Sequence, residues 1–124
     1  MQENPVRWFE IYVQDMERAR AFYETVFAYQ FTKLGDPDDA EMWAFPSDME
    51  SSGAAGALIK MDGVASGGGG TLIYFGTDDC GVQEERVTAA GGRVFKPKFQ
   101  VGTHGFISLV YDTEGNLVGM HSMT

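Results

Sequence analysis

Glu10 is the side chain that most demands a chemical explanation. It interrupts an aromatic and aliphatic stretch, Trp8-Phe9-Glu10-Ile11-Tyr12-Val13. A carboxylate in such a strand is costly unless it is paired or has a task. A structural Glu10 would be bonded to a tyrosine hydroxyl or to His121. A working Glu10 would be an acid or base: apolar walls raise its pKa by desolvation, and a nearby histidine opposes that shift. The chain has two histidines. His104 lies between Gly102 and Gly105, and His121 lies near the C-terminal end; each is a candidate acid beside Glu10 as base. Each also has a plain alternative, His104 as support for a turn and His121 as a structural imidazole. Cys80 is the only cysteine. Asp78 and Asp79 beside it oppose thiolate formation, so it reads as inert.

The elements that position these residues follow from periodicity. Residues 8–31, WFEIYVQDMERARAFYETVFAYQF, read as a strand, an amphipathic helix and the start of a second strand. A weaker copy, GTLIYFGTDDCGVQEERVTAAGGRVF, occupies residues 70–95, and Ile11-Tyr12-Val13 aligns with Ile73-Tyr74-Phe75 at an offset of 62. Alternation puts Phe9, Ile11 and Val13 on one face of the first strand and Trp8, Glu10 and Tyr12 on the other. Asp15 is placed to cap the helix, and Met16, Ala19, Tyr23, Val26 and Phe27 form its apolar stripe, packing on Phe9, Ile11 and Val13.

Strands are expected at 29–33, 41–45 and 54–61, with a turn at Gly35-Asp36-Pro37-Asp38-Asp39 and an acidic loop at 46–53. Residues 63–70, GVASGGGG, read as a flexible linker. A phosphate-cradling role for that run lacks the lysine and the serine or threonine that should open a following helix. In the second copy, Thr71–Phe75 is a strand, and Asp78 or Asp79 caps a helix running to Ala90. Gly91-Gly92 stop that helix. Strands at 93–99, 105–111 and 117–122 follow, the last two joined by the turn Asp112-Thr113-Glu114-Gly115-Asn116.

Length and composition bound the function. The 124 residues suit one domain, and a hydrophobic fraction of 44% supports a folded globule. A net charge of −9 disfavours nucleic acid and anionic membrane as partners. The single cysteine cannot form an intrachain disulfide, which favours a cytoplasmic home. No apolar run is long enough to span a bilayer, and MQENPVRW shows no signal region.

The order and spacing of WFEIYVQDMERARAFYETVF, GTLIYFGTDD, AAGGRVFKPK and GTHGFISLVYDTEGNLVGMHS resemble the vicinal-oxygen-chelate superfamily. That group includes glyoxalase I, bleomycin-resistance proteins and extradiol dioxygenases. The resemblance implies an α+β fold of two tandem β-α-β-β-β modules forming an open, cup-shaped mixed sheet. Module one would cover about 5–62, the linker 63–70 and module two about 71–123. It also implies a homodimer, and a metal held by one inward residue on the first and fourth strands of each module. Here those positions are Glu10, Ala57, Leu72 and Gly119, and three of them are apolar. No cofactor is therefore expected and a divalent metal is disfavoured.

What remains on the implied inner surface is Trp8, Glu10, Tyr12, Ala57, Leu72, Tyr74, Gly119 and His121, with His104 at its mouth. This suits a small, partly polar ligand. The first reading is a binding module that sequesters or carries a small molecule. The second is a lyase or isomerase using Glu10 with His121 or His104. The third is a metalloenzyme with a shifted Glu10–His121–His104 ligand set. If Glu10 is a satisfied core carboxylate, Glu10→Gln should cost stability. If it is a poised acid or base, stability should be unchanged or raised, and this second outcome is expected because functional sites often trade stability for activity.

Overall fold

The computed structural model describes residues 4–35 and 40–124. The expected turn at Asp36-Pro37-Asp38-Asp39 lies outside the described residues. The chain divides into two compact units, Trp8–Thr71 and Leu72–Thr124, the latter joined by the N-terminal residues before Trp8. Each is β-α-β-β-β, so the fold is α+β, as the repeat predicts.

Module one contains β1 (Val6–Tyr12), α1 (Met16–Phe27), β2 (Thr32–Lys33), β3 (Ala40–Ala44) and β4 (Ala55–Met61). The strand order is β2-β3-β4-β1, with β1 parallel to β4 and the other pairs antiparallel. Asp15 caps α1 by accepting from the Arg18 amide at 3.0 Å. One face of the sheet packs on the helix through Val13, Met16, Phe31 and Leu58, with Ile11, Ala19 and Tyr23 against them. The stripe expected on α1 is only half right. Val26 and Phe27 are more than half exposed. Helix α1 ends at Phe27 with Ala28 in the left-handed region (φ 59°), and the Phe27 ring stacks on Tyr29 at 5.3 Å rather than on the sheet. That turn also shortens the second strand from the expected 29–33 to two residues.

Module two contains β5 (Thr71–Gly76), α2 (Cys80–Val87), β6 (Arg93–Gln100), β7 (Phe106–Tyr111) and β8 (Leu117–Ser122). Its order is β5-β8-β7-β6, with β5 parallel to β8 and the remaining pairs antiparallel. Of the two candidate caps the structure uses Asp79, which accepts from the Gly81 amide at 2.9 Å. Regular helix stops at Val87, three residues short of the expectation. The reason is the closing motif: Gly91 takes φ +98°, its amide bonds Thr88 O at 3.1 Å, and the Gly92 amide reaches back to Val87 O at 2.9 Å. The core on the helix side is Cys80, Val110 and Met120, with Val87, Val94, Phe106 and Val118 packed on it.

The glycine run is tied to β1. The Tyr12 amide donates to Gly70 O at 2.7 Å, and Gln14 Nε2 donates to Val64 O at 3.1 Å.

Candidate functional site

In module one, residues at alternate positions of β1 share a face, so Trp8, Glu10 and Tyr12 project away from α1. The register sets Glu10 opposite Ala57 and Tyr12 opposite Ile59; Ala44 and Met42 follow on β3. Ala57 is fully buried, and its methyl leaves room beside the carboxylate. Glu10 is 8% exposed. Trp8 Nε1 donates to its Oε2 at 3.1 Å, and the Tyr12 hydroxyl donates to its Oε1 at 2.9 Å. Both donors are neutral, and both come from the same strand at a separation of two. Burial, then the charge of Glu10, then this hydrogen bond hold the Tyr12 phenol well above the usual tyrosine range. Tyr12 is thus a fixed donor and not a base.

A second tryptophan–carboxylate pair was not anticipated. Trp43 Nε1 donates to Glu41 Oε2 at 2.9 Å, and the Arg20 guanidinium lies 3.9 Å over the Trp43 ring. The signal was available, since Glu41 and Trp43 repeat the spacing of Trp8 and Glu10. This pair lies on the helix side of the sheet with Leu58, so it braces α1.

In module two, Leu72 and Tyr74 are buried and lie on the face of β5 turned away from α2. The register pairs Tyr74 with Gly119. A Cβ on Gly119 would collide with Tyr74 Cδ1, so the tyrosine ring occupies the space a side chain would need. His121 shares this face and its Nε2 lies 2.5 Å from His104 O. A carbonyl only accepts, so Nε2 carries a proton and donates to it. Nδ1 is buried and has no hydrogen-bond partner among the described residues.

His104 enters through its carbonyl, while the residue itself is exposed in the turn closed by Val101 N to Gly105 O at 2.8 Å. Gly105, at φ +93°, permits that turn; a Cβ there would collide with Ser122 O. Cys80 is fully buried, and its amide donates to Ser122 Oγ at 3.0 Å, consistent with packing rather than reactivity. The candidate residues therefore form a Trp8–Glu10–Tyr12 group over Ala57 in module one. In module two they form a His121–His104 pair and a Tyr74–Gly119 contact.

The family model described as Glyoxalase/Bleomycin resistance protein/Dioxygenase superfamily matches residues 6–120. The chain belongs to this superfamily. The "Putative glyoxylase CFP32" of Mycobacterium bovis is 24% identical over 115 residues, which are 91% of this chain and 43% of the relative. The chain thus spans less than half the length of the curated relatives it matches. Among solved structures of the superfamily's fold, methylmalonyl-CoA epimerase from Mycobacterium tuberculosis has a TM-score of 0.69 at 14% identity, covering 97% of this chain and 88% of that one. Hypothetical protein BH1468 from Bacillus halodurans reaches 0.74 at 12%, covering 99% and 96%. Methylmalonyl-CoA epimerase from Streptomyces coelicolor, solved with 2-nitronate-propionyl-CoA, reaches 0.69 at 17%, covering 98% of each.

The superfamily's four-ligand metal site does not fit the residues present. Ala57, Leu72 and Gly119 offer no side-chain donor atom. Among the described residues no three His, Cys, Asp or Glu side chains are grouped to hold a metal ion. Among the described residues no helix is long and apolar enough to cross a membrane.

Proposed function

We propose that this chain is a metal-independent, small-molecule-binding member of the superfamily, whose ligand meets the module-one face that carries Glu10. One observation supports this above the rest: a carboxylate held at 8% exposure by two neutral donors, Trp8 and Tyr12, opposite the small Ala57. An ionised carboxylate has about four acceptor positions, the chemistry by which it receives an N–H or O–H from a ligand. The indole and phenol fix its orientation in advance, which lowers the ordering cost of binding. Cytoplasmic residence and a two-fold dimer belong to the same reading. Light scattering at twice the 13.6 kDa chain mass tests the dimer.

A second reading is an isomerase in which Glu10 moves a proton. It is favoured by the kinship in fold with methylmalonyl-CoA epimerases, for which a carbon acid next to a carbonyl is the natural substrate class. One experiment separates the two. Acyl thioesters and short hydroxy acids are screened by thermal shift and then incubated in D2O with wild type and Glu10→Gln. Binding lost in Glu10→Gln without deuterium uptake supports the binding module. Exchange at carbon that Glu10→Gln abolishes supports the isomerase. Binding unaffected by Glu10→Gln removes Glu10 from both.

A further inference from the structure

We propose that Glu84 is a conformational latch: from α2 it holds strand β6 in a twice-shifted register that regular pairing with β7 would erase. Placement is the first observation. Cys80 and Val87 of α2 lie in the module-two core, and Glu84 stands between them on the same helical stripe. A carboxylate at the centre of an apolar stripe is costly unless donors meet it. Here two donors meet one oxygen. The Lys98 amide donates to Glu84 Oε1 at 2.6 Å, and the hydroxyl of fully buried Ser108 donates to it at 2.7 Å.

Register supplies the second observation. Arg93 and Val94 pair with Tyr111 and Val110, Lys96 pairs with Leu109, and Phe99 and Gln100 pair with Ile107 and Phe106. Strand β6 therefore carries an extra residue on each side of Lys96. Such bulges take backbone groups out of the ladder, and here side chains on the α2 side take them up. Glu84 accepts from the Lys98 amide, and the Ser108 hydroxyl lies 3.4 Å from Lys96 O. Asp79, the cap of α2, holds the Lys98 ammonium at 2.7 Å. The helix thus grips one residue of β6 by both its backbone and its side chain.

The consequence of the latch lies on the far side of the sheet. Strict alternation would put Lys96 and Phe99 on opposite faces. The bulges turn both away from α2, with the Lys96 ammonium 4.3 Å from the Phe99 ring centroid. If the ladder of Arg93 and Val94 ran on without bulges, Lys96 would stand opposite Ser108 and turn to the α2 side. Strand β6 ends the sheet order, so β7 and α2 between them decide its register. Pro97 lies in the same stretch; lacking an N–H, it is at home in an edge bulge but does not select one register over another.

The test is NMR on the isotope-labelled full chain, comparing wild type with Glu84→Ala, Pro97→Ala and, as a control at an exposed neighbour, Glu85→Ala. Wild type should show the cross-strand contacts Lys96–Leu109 and Phe99–Ile107 and a slowly exchanging Lys98 amide. Glu84→Ala should speed exchange of that amide by at least about tenfold, and should replace the contacts by Lys96–Ser108 and Pro97–Ile107. Pro97→Ala and Glu85→Ala should keep the wild-type register. Wild-type contacts retained in Glu84→Ala, or a register lost only in Pro97→Ala, would overturn the latch. Exchange that quickens equally throughout module two would overturn it as well, because that is global loss of stability. Should Glu84→Ala fail to fold, Glu84→Asp draws the carboxylate back by one methylene and should display both registers; the wild-type register alone would sink the proposal. The latch rests on module two, so its failure leaves the reading of Glu10 standing.

Discussion

The Tyr12 hydroxyl donates to Glu10 Oε1 at 2.9 Å from two residues along the same strand, and this contact decides what each group can do. The carboxylate is kept in place by a donor that does not give up its proton in the neutral range. With Trp8 on the other oxygen, Glu10 has the hydrogen bonds that a structural reading of the sequence requires.

Glu10→Gln should therefore lower stability, which reverses the expectation from sequence. The amide oxygen can accept from one of the two donors, leaving the NH2 group facing the other. The expected cost is about 1–3 kcal/mol for a buried charge-assisted pair. Thermal melts at pH 7 measure it. An unchanged or raised Tm would mean that the charge burdens the free protein and that only a ligand offsets it.

Tyr12 should ionise well above the ordinary tyrosine range. Its folded pKa is raised above the ordinary 10.0, so the folded state keeps a proton that the unfolded state releases. Stability from this group is complete below pH 10 and falls as pH rises beyond it. Absorbance at the tyrosinate band should show a component that titrates only with alkaline unfolding, and Tyr12→Phe should remove it.

Asp79 joins two tasks, capping α2 and pairing with Lys98. The lysine hydrogen bond first, and then the Gly81 amide, hold its carboxyl below the ordinary 3.8. Its contribution is present above that value and is lost as pH falls through the depressed range. Asp79→Ala should lower Tm at pH 7. The gap to wild type should close below pH 3.8, and a gap constant with pH would remove the electrostatic explanation.

Gly119→Ala should be costly, because the new methyl collides with the Tyr74 ring, at about 1–3 kcal/mol for forced repacking. Gly68→Ala is the control: nothing lies within 4 Å of a Cβ there, so it should be neutral or slightly stabilising. Denaturant midpoints of the two variants should diverge. Equal midpoints would show that the ring moves aside freely.

Untagged protein dialysed against Ni, Zn, Fe or Mn should retain well under one equivalent by elemental analysis. Stoichiometric metal that disappears in both Glu10→Ala and His121→Ala would instead establish a ligand set outside the superfamily's usual four positions.

The sequence by itself determined the two-module plan. Strand alternation and helix capping are local, and the pairs Asp15–Arg18 and Asp79–Gly81 lie within one turn of chain. The placement of Glu10 on the strand face away from α1 is equally local, since period two requires it. Tertiary structure decided what local pattern cannot reach. Whether Val26 and Phe27 are covered depends on where α1 ends against the sheet, and the chain turns at Ala28 before they can reach it. The partner of Gly119 depends on strand register, and the structure pairs it with Tyr74. His104 was legible as a residue but not as a carbonyl acceptor for His121, because backbone groups leave no trace in composition. The Lys96 stack depends on irregularities in β6 that put Lys96 and Phe99 on one face. Such a slip is set by contacts with β7 and α2 and not by residue type, so only the folded chain displays it.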